Sequence, residues 1–120
     1  MLINLSNHPS SQWFSEQLVE GRKYGNILDV EFPIVDPKGD GEYIKKLAHE
    51  CAENVKNILS NYSDERNAVH VMGEPTLVYH IVTLLKQQGI TCLASTTSRE
   101  SIEENGLKTS KFTFTQFREY

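Results

Sequence analysis

The chain has 120 residues, enough for one core but not two. With 38% hydrophobic and 23% charged residues, it reads as globular rather than disordered. A net charge of -4 argues against coating long DNA or RNA, which needs a basic surface. A small phosphate-bearing ligand remains compatible, because it needs only local donors.

Met1 to Ser6 (M-L-I-N-L-S) predicts a short apolar strand, followed by the loop Asn7-His8-Pro9-Ser10-Ser11. Pro9 blocks further strand, and Ser10 or Ser11 suits a helix N-cap. The first helix is predicted from about Gln12 to Lys23, with Trp13, Phe14, Gln17, Leu18 and Gly21 on its inner face and Gly25 beyond its end. Ile27 to Phe32 alternates as a second strand. Pro33 and Pro37 mark a connector rich in turn residues. Ile44, Leu47, Ala48, Cys51, Val55, Ile58 and Leu59 then recur at helical spacing, predicting a helix from about Glu42 to Ser60. Asn61 to Asn67 reads as a polar linker.

Ala68 to Met72 predicts a buried central strand that turns at Gly73 into a helix opened by Pro75. Gln87-Gln88-Gly89 ends that helix, and Ile90 to Ser95 predicts the fourth strand. Asn105-Gly106 is a strong two-residue hairpin signal. It sets Glu103 opposite Lys108 and Glu100 opposite Lys111, and carries Phe112 to Tyr120 back along the fourth strand. The resulting expectation is a single α/β domain over 1–120. It is a three-layer α/β/α Rossmann-like (flavodoxin-like) open sheet in the order 2-1-3-4-5. Four strands are parallel and the C-terminal edge strand is antiparallel, with a hairpin arm protruding around 98–110.

That order gathers three polar segments at the carboxyl edge of the sheet: Asn7 to Ser11, Met72 to Thr76, and Ser95 to Arg99. Two helix N-termini with unpaired N–H groups are expected to face the same crevice, which would suit an anion. Each residue also has a plain structural use. Asn7, Ser10 and Ser11 suit a helix cap, and Glu74 suits a cap or a ribose hydroxyl. Thr96 and Thr97 are good strand residues, and Arg99 pairs readily with a carboxylate. His8 is either a loop residue or a proton-transfer group. His70, inside a strand, reads as a satisfied core histidine, and His49 and His80 as surface or packing residues. Cys51 and Cys92 read as buried thiols. No Walker A, dinucleotide, H-E-x-x-H or G-x-S-x-G pattern occurs, and no metal site or cofactor is expected. The first strand leaves no room for a signal peptide, and no apolar run is long enough to span a bilayer, so a cytoplasmic location is expected.

The stretches L-I-N-L-S-N-H-P-S (2–10), M-G-E-P-T (72–76), A-S-T-T-S-R (94–99) and F-T-F-T-Q-F-R-E-Y (112–120) together resemble a group of small stand-alone bacterial proteins. That group is associated with CRISPR loci, near the Rossmann-like CARF and ring-nuclease proteins, and the resemblance spans nearly the whole chain. It implies a homodimer that binds a cyclic oligoadenylate and cuts it without metal. The ribose 2′-hydroxyl would attack the adjacent phosphorus to give a 2′,3′-cyclic phosphate. Under that resemblance Asn7, Ser10 and Ser11 hold phosphate or ribose, while the strand order places Met72, Gly73, Glu74, Thr76 and Ser95 as ligand-lining candidates in the crevice. Thr96, Thr97 and Arg99 face the scissile phosphate, and His8 transfers the proton. The alternatives are a non-catalytic sensor or sponge of the same ligand, a protein-binding adaptor working through the arm, and an unrelated phosphotransfer enzyme or hydrolase.

Overall fold

The computed structural model describes residues 1–63 and 66–120; part of the expected 61–67 linker therefore lies outside the described residues. Five strands form one sheet: β1 (Leu2–Ser6), β2 (Ile27–Glu31), β3 (Ala68–Val71), β4 (Thr91–Glu104) and β5 (Leu107–Glu119). Their order is β2-β1-β3-β4-β5, with β5 antiparallel and every other pairing parallel. This is the expected doubly wound arrangement, with its switch point between β1 and β3.

Side chains alternate across the sheet and separate two cores. Ile3, Leu5, Val69, Val71 and Cys92 pack on one side against α2 (Gly41–Leu59) and α3 (Pro75–Gln87). Leu2, Ala68 and Leu93 pack on the other with Trp13, and Leu18 of α1 (Ser15–Arg22) covers them. The α2 helix starts where Asp40 accepts the N–H of Tyr43, and its stripe of Ile44, Ala48, Cys51, Val55 and Leu59 is buried as its spacing predicts.

The first helix differs from expectation. A 3-10 turn occupies Ser10–Gln12, and α1 begins only at Ser15, after an extended Phe14 that makes no side-chain cap. The cause is long-range. Asp29, on β2, takes both the backbone N–H and the hydroxyl of Ser10 at 2.9 Å each. The Trp13 indole is tied to the His8 carbonyl at 3.1 Å. Ser10 is thus engaged before it can cap a helix, and Phe14 lies outside the helix and 42% exposed rather than on its inner face.

The strand after the third helix is also longer than predicted. β4 runs without a break into the arm, and Asn105 and Gly106 turn it with φ of 53° and 77°. Glu103 faces Lys108 and Glu100 faces Lys111 as the turn requires. A bulge between Thr96 and Thr97 shifts the register. It lets Phe114 and Phe117, three apart, meet with centroids 5.1 Å apart. Residues 97–113 are exposed throughout. The radius of gyration of 16.0 Å exceeds the roughly 13.6 Å of a compact chain this size, as a projecting arm demands.

Candidate functional site

The centre of the α1-side face is polar, and the parallel register is what assembles it. Asn4 on β1 lies opposite Asp29 on β2 and opposite His70 on β3. His70 lies opposite Leu93, and Ser95 follows two residues later on the same face of β4. Four neighbouring strands therefore each contribute one polar side chain to a single row.

Hydrogen bonds link this row end to end. Asn4 Nδ2 donates to Asp29 Oδ1 at 2.8 Å and to the His8 carbonyl at 2.9 Å. Both partners are acceptors only, which fixes the amide orientation. Asn4 Oδ1 then accepts from the Ser6 hydroxyl at 2.8 Å and from His70 Nδ1 at 2.8 Å. His70 accordingly carries its proton on Nδ1. Its Nε2 accepts from the Ser95 hydroxyl at 2.7 Å, and Gln17 Nε2 on α1 donates to Ser95 Oγ at 3.0 Å.

Trp13 and Phe117 meet the imidazole edge to face at 5.3 Å and 5.6 Å. Burial, with the nearby charge of His8 second, pushes His70 down to about 4, so it is neutral at ordinary pH. Burial pushes the Asp29 carboxyl up, but hydrogen bonds from Asn4 and Ser10 outweigh it and hold the group below its usual range.

The predicted site residues fall in three places. Asn7 and His8 follow β1 and are exposed. The backbone of His8 is locked, however. Its carbonyl accepts from Asn4 and Trp13, and its N–H donates to Ser6 Oγ at 3.2 Å. Ser10 binds Asp29, so the place where an anion was expected already holds the chain's own carboxylate. Ser11 is exposed in the 3-10 turn.

Met72, Gly73, Glu74 and Thr76 form the second group, beyond the end of β3. Glu74 caps α3 as predicted, accepting from Thr76 N at 3.1 Å and Leu77 N at 2.9 Å as well as from the Thr76 hydroxyl. The hydroxyl of Thr76 and then the Leu77 N–H lower its carboxyl below the ordinary value. The free N–H groups expected at this helix start are therefore taken. Gly73 has a reason the sequence hides: a Cβ there would lie 2.5 Å from the ring of buried Phe32. Met72 and Gly73 also border an apolar cleft of about 490 Å³ with Pro75, Val78, Tyr79 and Tyr120. Tyr120 closes it by donating its hydroxyl to the Val71 carbonyl at 2.6 Å.

The third group lies along β4. Ser95 joins the polar row, whereas Thr96 bonds the Gln116 carbonyl at 2.9 Å and Thr97 is exposed beyond the bulge. Arg99 stands six residues past Leu93, about 20 Å along the strand. It bonds Ser110 at 3.0 Å and stacks over Phe112. The expectation that Arg99 sits in the crevice of its own chain is thus corrected: the straight run of β4 carries it out on the arm.

Asn4, Asp29, Gln17 and His70 were missed as site residues. The available signal was a lone polar residue inside each of three apolar strands, L-I-N-L, I-L-D-V and V-H-V. Among the described residues no cluster of three or more His, Cys, Asp or Glu side chains is placed to hold a metal ion. Likewise no helix is long and apolar enough to cross a membrane. Cys51 and Cys92 are buried and free, and burial pushes both thiols up to about 11.

Comparison with curated proteins and with solved structures found no match. A family model described as "Uncharacterized protein MJ1673 family" matches residues 1–118, nearly the whole chain, and the chain therefore belongs to the MJ1673 family.

Proposed function

We propose that the chain binds a cyclic oligoadenylate at the carboxyl edge of its sheet and opens the ring without a metal, by attack of a ribose 2′-hydroxyl on the adjacent phosphorus. The observation that carries this reading is a pair of unlike surfaces, one on each face of the sheet, that both reach its carboxyl edge. On one side is the apolar cleft of Met72, Gly73, Tyr79 and Tyr120, suited to a flat base. On the other are the exposed Asn7 and His8 and the fixed hydroxyl of Ser95, suited to ribose and phosphate. A nucleotide carries both chemistries. Arg99, out on the arm, reaches a phosphate only from a second copy, so the reading carries a homodimer with it.

A non-catalytic sensor of the same ligand is the second reading. It is favoured by the start of α3, where Glu74 already occupies the N–H groups that would otherwise stabilise a phosphate in reaction.

Purified protein is tested with cyclic tetra- and hexa-adenylate. A rise in melting temperature together with a 2′,3′-cyclic phosphate product supports the enzyme. Stabilisation with the rings left intact for many hours leaves the sensor. No change in melting temperature with either ring removes both readings.

A further inference from the structure

The polar row has a direction. Because Asn4 fixes the proton of His70 on Nδ1, the lone pair of Nε2 is aimed at Ser95, and the Ser95 hydroxyl gives its hydrogen to it at 2.7 Å. A hydroxyl, an imidazole that accepts from it, and an amide that orients the imidazole form a relay of the kind that activates hydroxyl chemistry. Gln17 occupies one lone pair of Ser95 Oγ and leaves the other free. Ser95 is half-buried and lies two residues beyond the last β3–β4 pair, at the carboxyl edge where the ligand reading places ribose.

We propose that Ser95 is the group that receives the proton of the attacking ribose 2′-hydroxyl, and that His70, acting through Ser95, holds it in the accepting orientation. The proposal rests on the ring-opening reading above and assigns its proton transfer to Ser95 rather than to the exposed His8. In the step, the 2′-oxygen forms its bond to phosphorus as its proton passes to Ser95 Oγ. The Ser95 proton passes in turn to His70 Nε2. The bond from phosphorus to the 5′-oxygen of the next nucleotide breaks, and that oxygen takes a proton from solvent. The ring opens to a 2′,3′-cyclic phosphate and a free 5′-hydroxyl, with no water consumed. His70 then returns its proton to solvent through Ser95. Ser95 touches substrate and is the catalytic residue; His70 is a positioning residue. While His70 is charged, Asn4 Oδ1 still accepts from Nδ1, and the Asp29 carboxylate stands one amide further along.

The test measures binding and turnover of cyclic tetra- and hexa-adenylate by the full chain and by Ser95→Ala, His70→Gln and His8→Ala. The expected result is a loss of about a hundredfold or more in kcat for Ser95→Ala and His70→Gln, with Kd little changed. His8→Ala should weaken binding, because His8 borders the ribose and phosphate surface, and should lower kcat far less than Ser95→Ala does. Wild-type kcat should stay level from pH 8 to pH 5 and fall only as His70 protonates near 4. Ser95→Ala removes one oxygen and keeps the test decisive where His70→Gln fails to fold. Normal turnover in Ser95→Ala overturns the proposal and leaves the ring-opening reading standing. So does a loss of about a hundredfold or more in the kcat of His8→Ala with Kd unchanged, which hands the transfer to His8. Rings bound but not cut by wild type overturn the proposal and leave a sensor, and rings not bound at all overturn both.

Discussion

Strand β1 sends Ile3 and Leu5 to one side of the sheet and Leu2, Asn4 and Ser6 to the other. Beneath α2 and α3 the buried sheet positions are apolar, and that side is an ordinary close-packed core. Beneath α1 the sheet begins equally apolar at Leu2, Ala68 and Leu93. It turns polar one step nearer the carboxyl edge, at Asn4, Asp29, His70 and Ser95. A buried polar network is seldom more stable than apolar residues of the same volume. Stability accounts for the first face. The second holds groups that stability does not require, linked by hydrogen bonds in a row that ends on one hydroxyl at the edge.

The largest expected effect falls on the apolar face. Leu5→Ala should cost about 2–5 kcal/mol, read as a lower urea midpoint with the slope unchanged. It should leave the titration of His70 where it is, because Leu5 and His70 lie on opposite faces; a shift would show the faces to be coupled.

The polar face should show itself through pH. The unfolded chain takes up a proton on His70 below its ordinary 6.5, whereas the folded chain resists until about 4. Stability should therefore be level above pH 6.5 and decline as pH falls from 6.5 to 4, by up to about 3 kcal/mol. Asp29, held below its usual range, adds a loss of the same sign at lower pH. In His70→Gln the decline between 6.5 and 4 should vanish. Persistence of the same slope in that variant would mean that another group carries it.

Gly73→Ala should cost about 1–3 kcal/mol, because the new methyl meets the Phe32 ring. The paired Gly73→Ala/Phe32→Leu variant should recover part of that loss, which separates packing from any ligand effect. Smallest of all, Ile102→Ser or Leu107→Ser on the arm should change stability by no more than about 0.5 kcal/mol, since both residues are exposed. If the protein is a homodimer through the arm, the same variants should instead shift its mass by light scattering from twice 13.7 kDa toward 13.7 kDa.

Features set by local chemistry were legible in the sequence. Asn105-Gly106 determined the hairpin and its charge pairs, Pro75 opened α3, Glu74 capped it, and the alternation of strands and helices determined the strand order. Features set by contacts distant in sequence were not. Ser10 looks like a cap until Asp29, nineteen residues on, takes its donors. Gly73 looks like a ligand glycine until Phe32 packs over it. His70 was legible as a satisfied core histidine, but its partners were hidden, since Asn4 is 66 residues away and Ser95 is 25. Only the pairing of Asn4 with both Asp29 and His70 converts three unremarkable strand positions into a row.

The most direct test of that row is the state of the His70 imidazole, read from its ring 15N shifts across pH. A neutral ring protonated on Nδ1 at pH 7, titrating near 4, with Nε2 shifting in Ser95→Ala, is the predicted result. A ring protonated on Nε2 would contradict the account, because Ser95 would then have no acceptor for its proton; one that titrates near 6.5 would contradict the burial that holds the ring neutral.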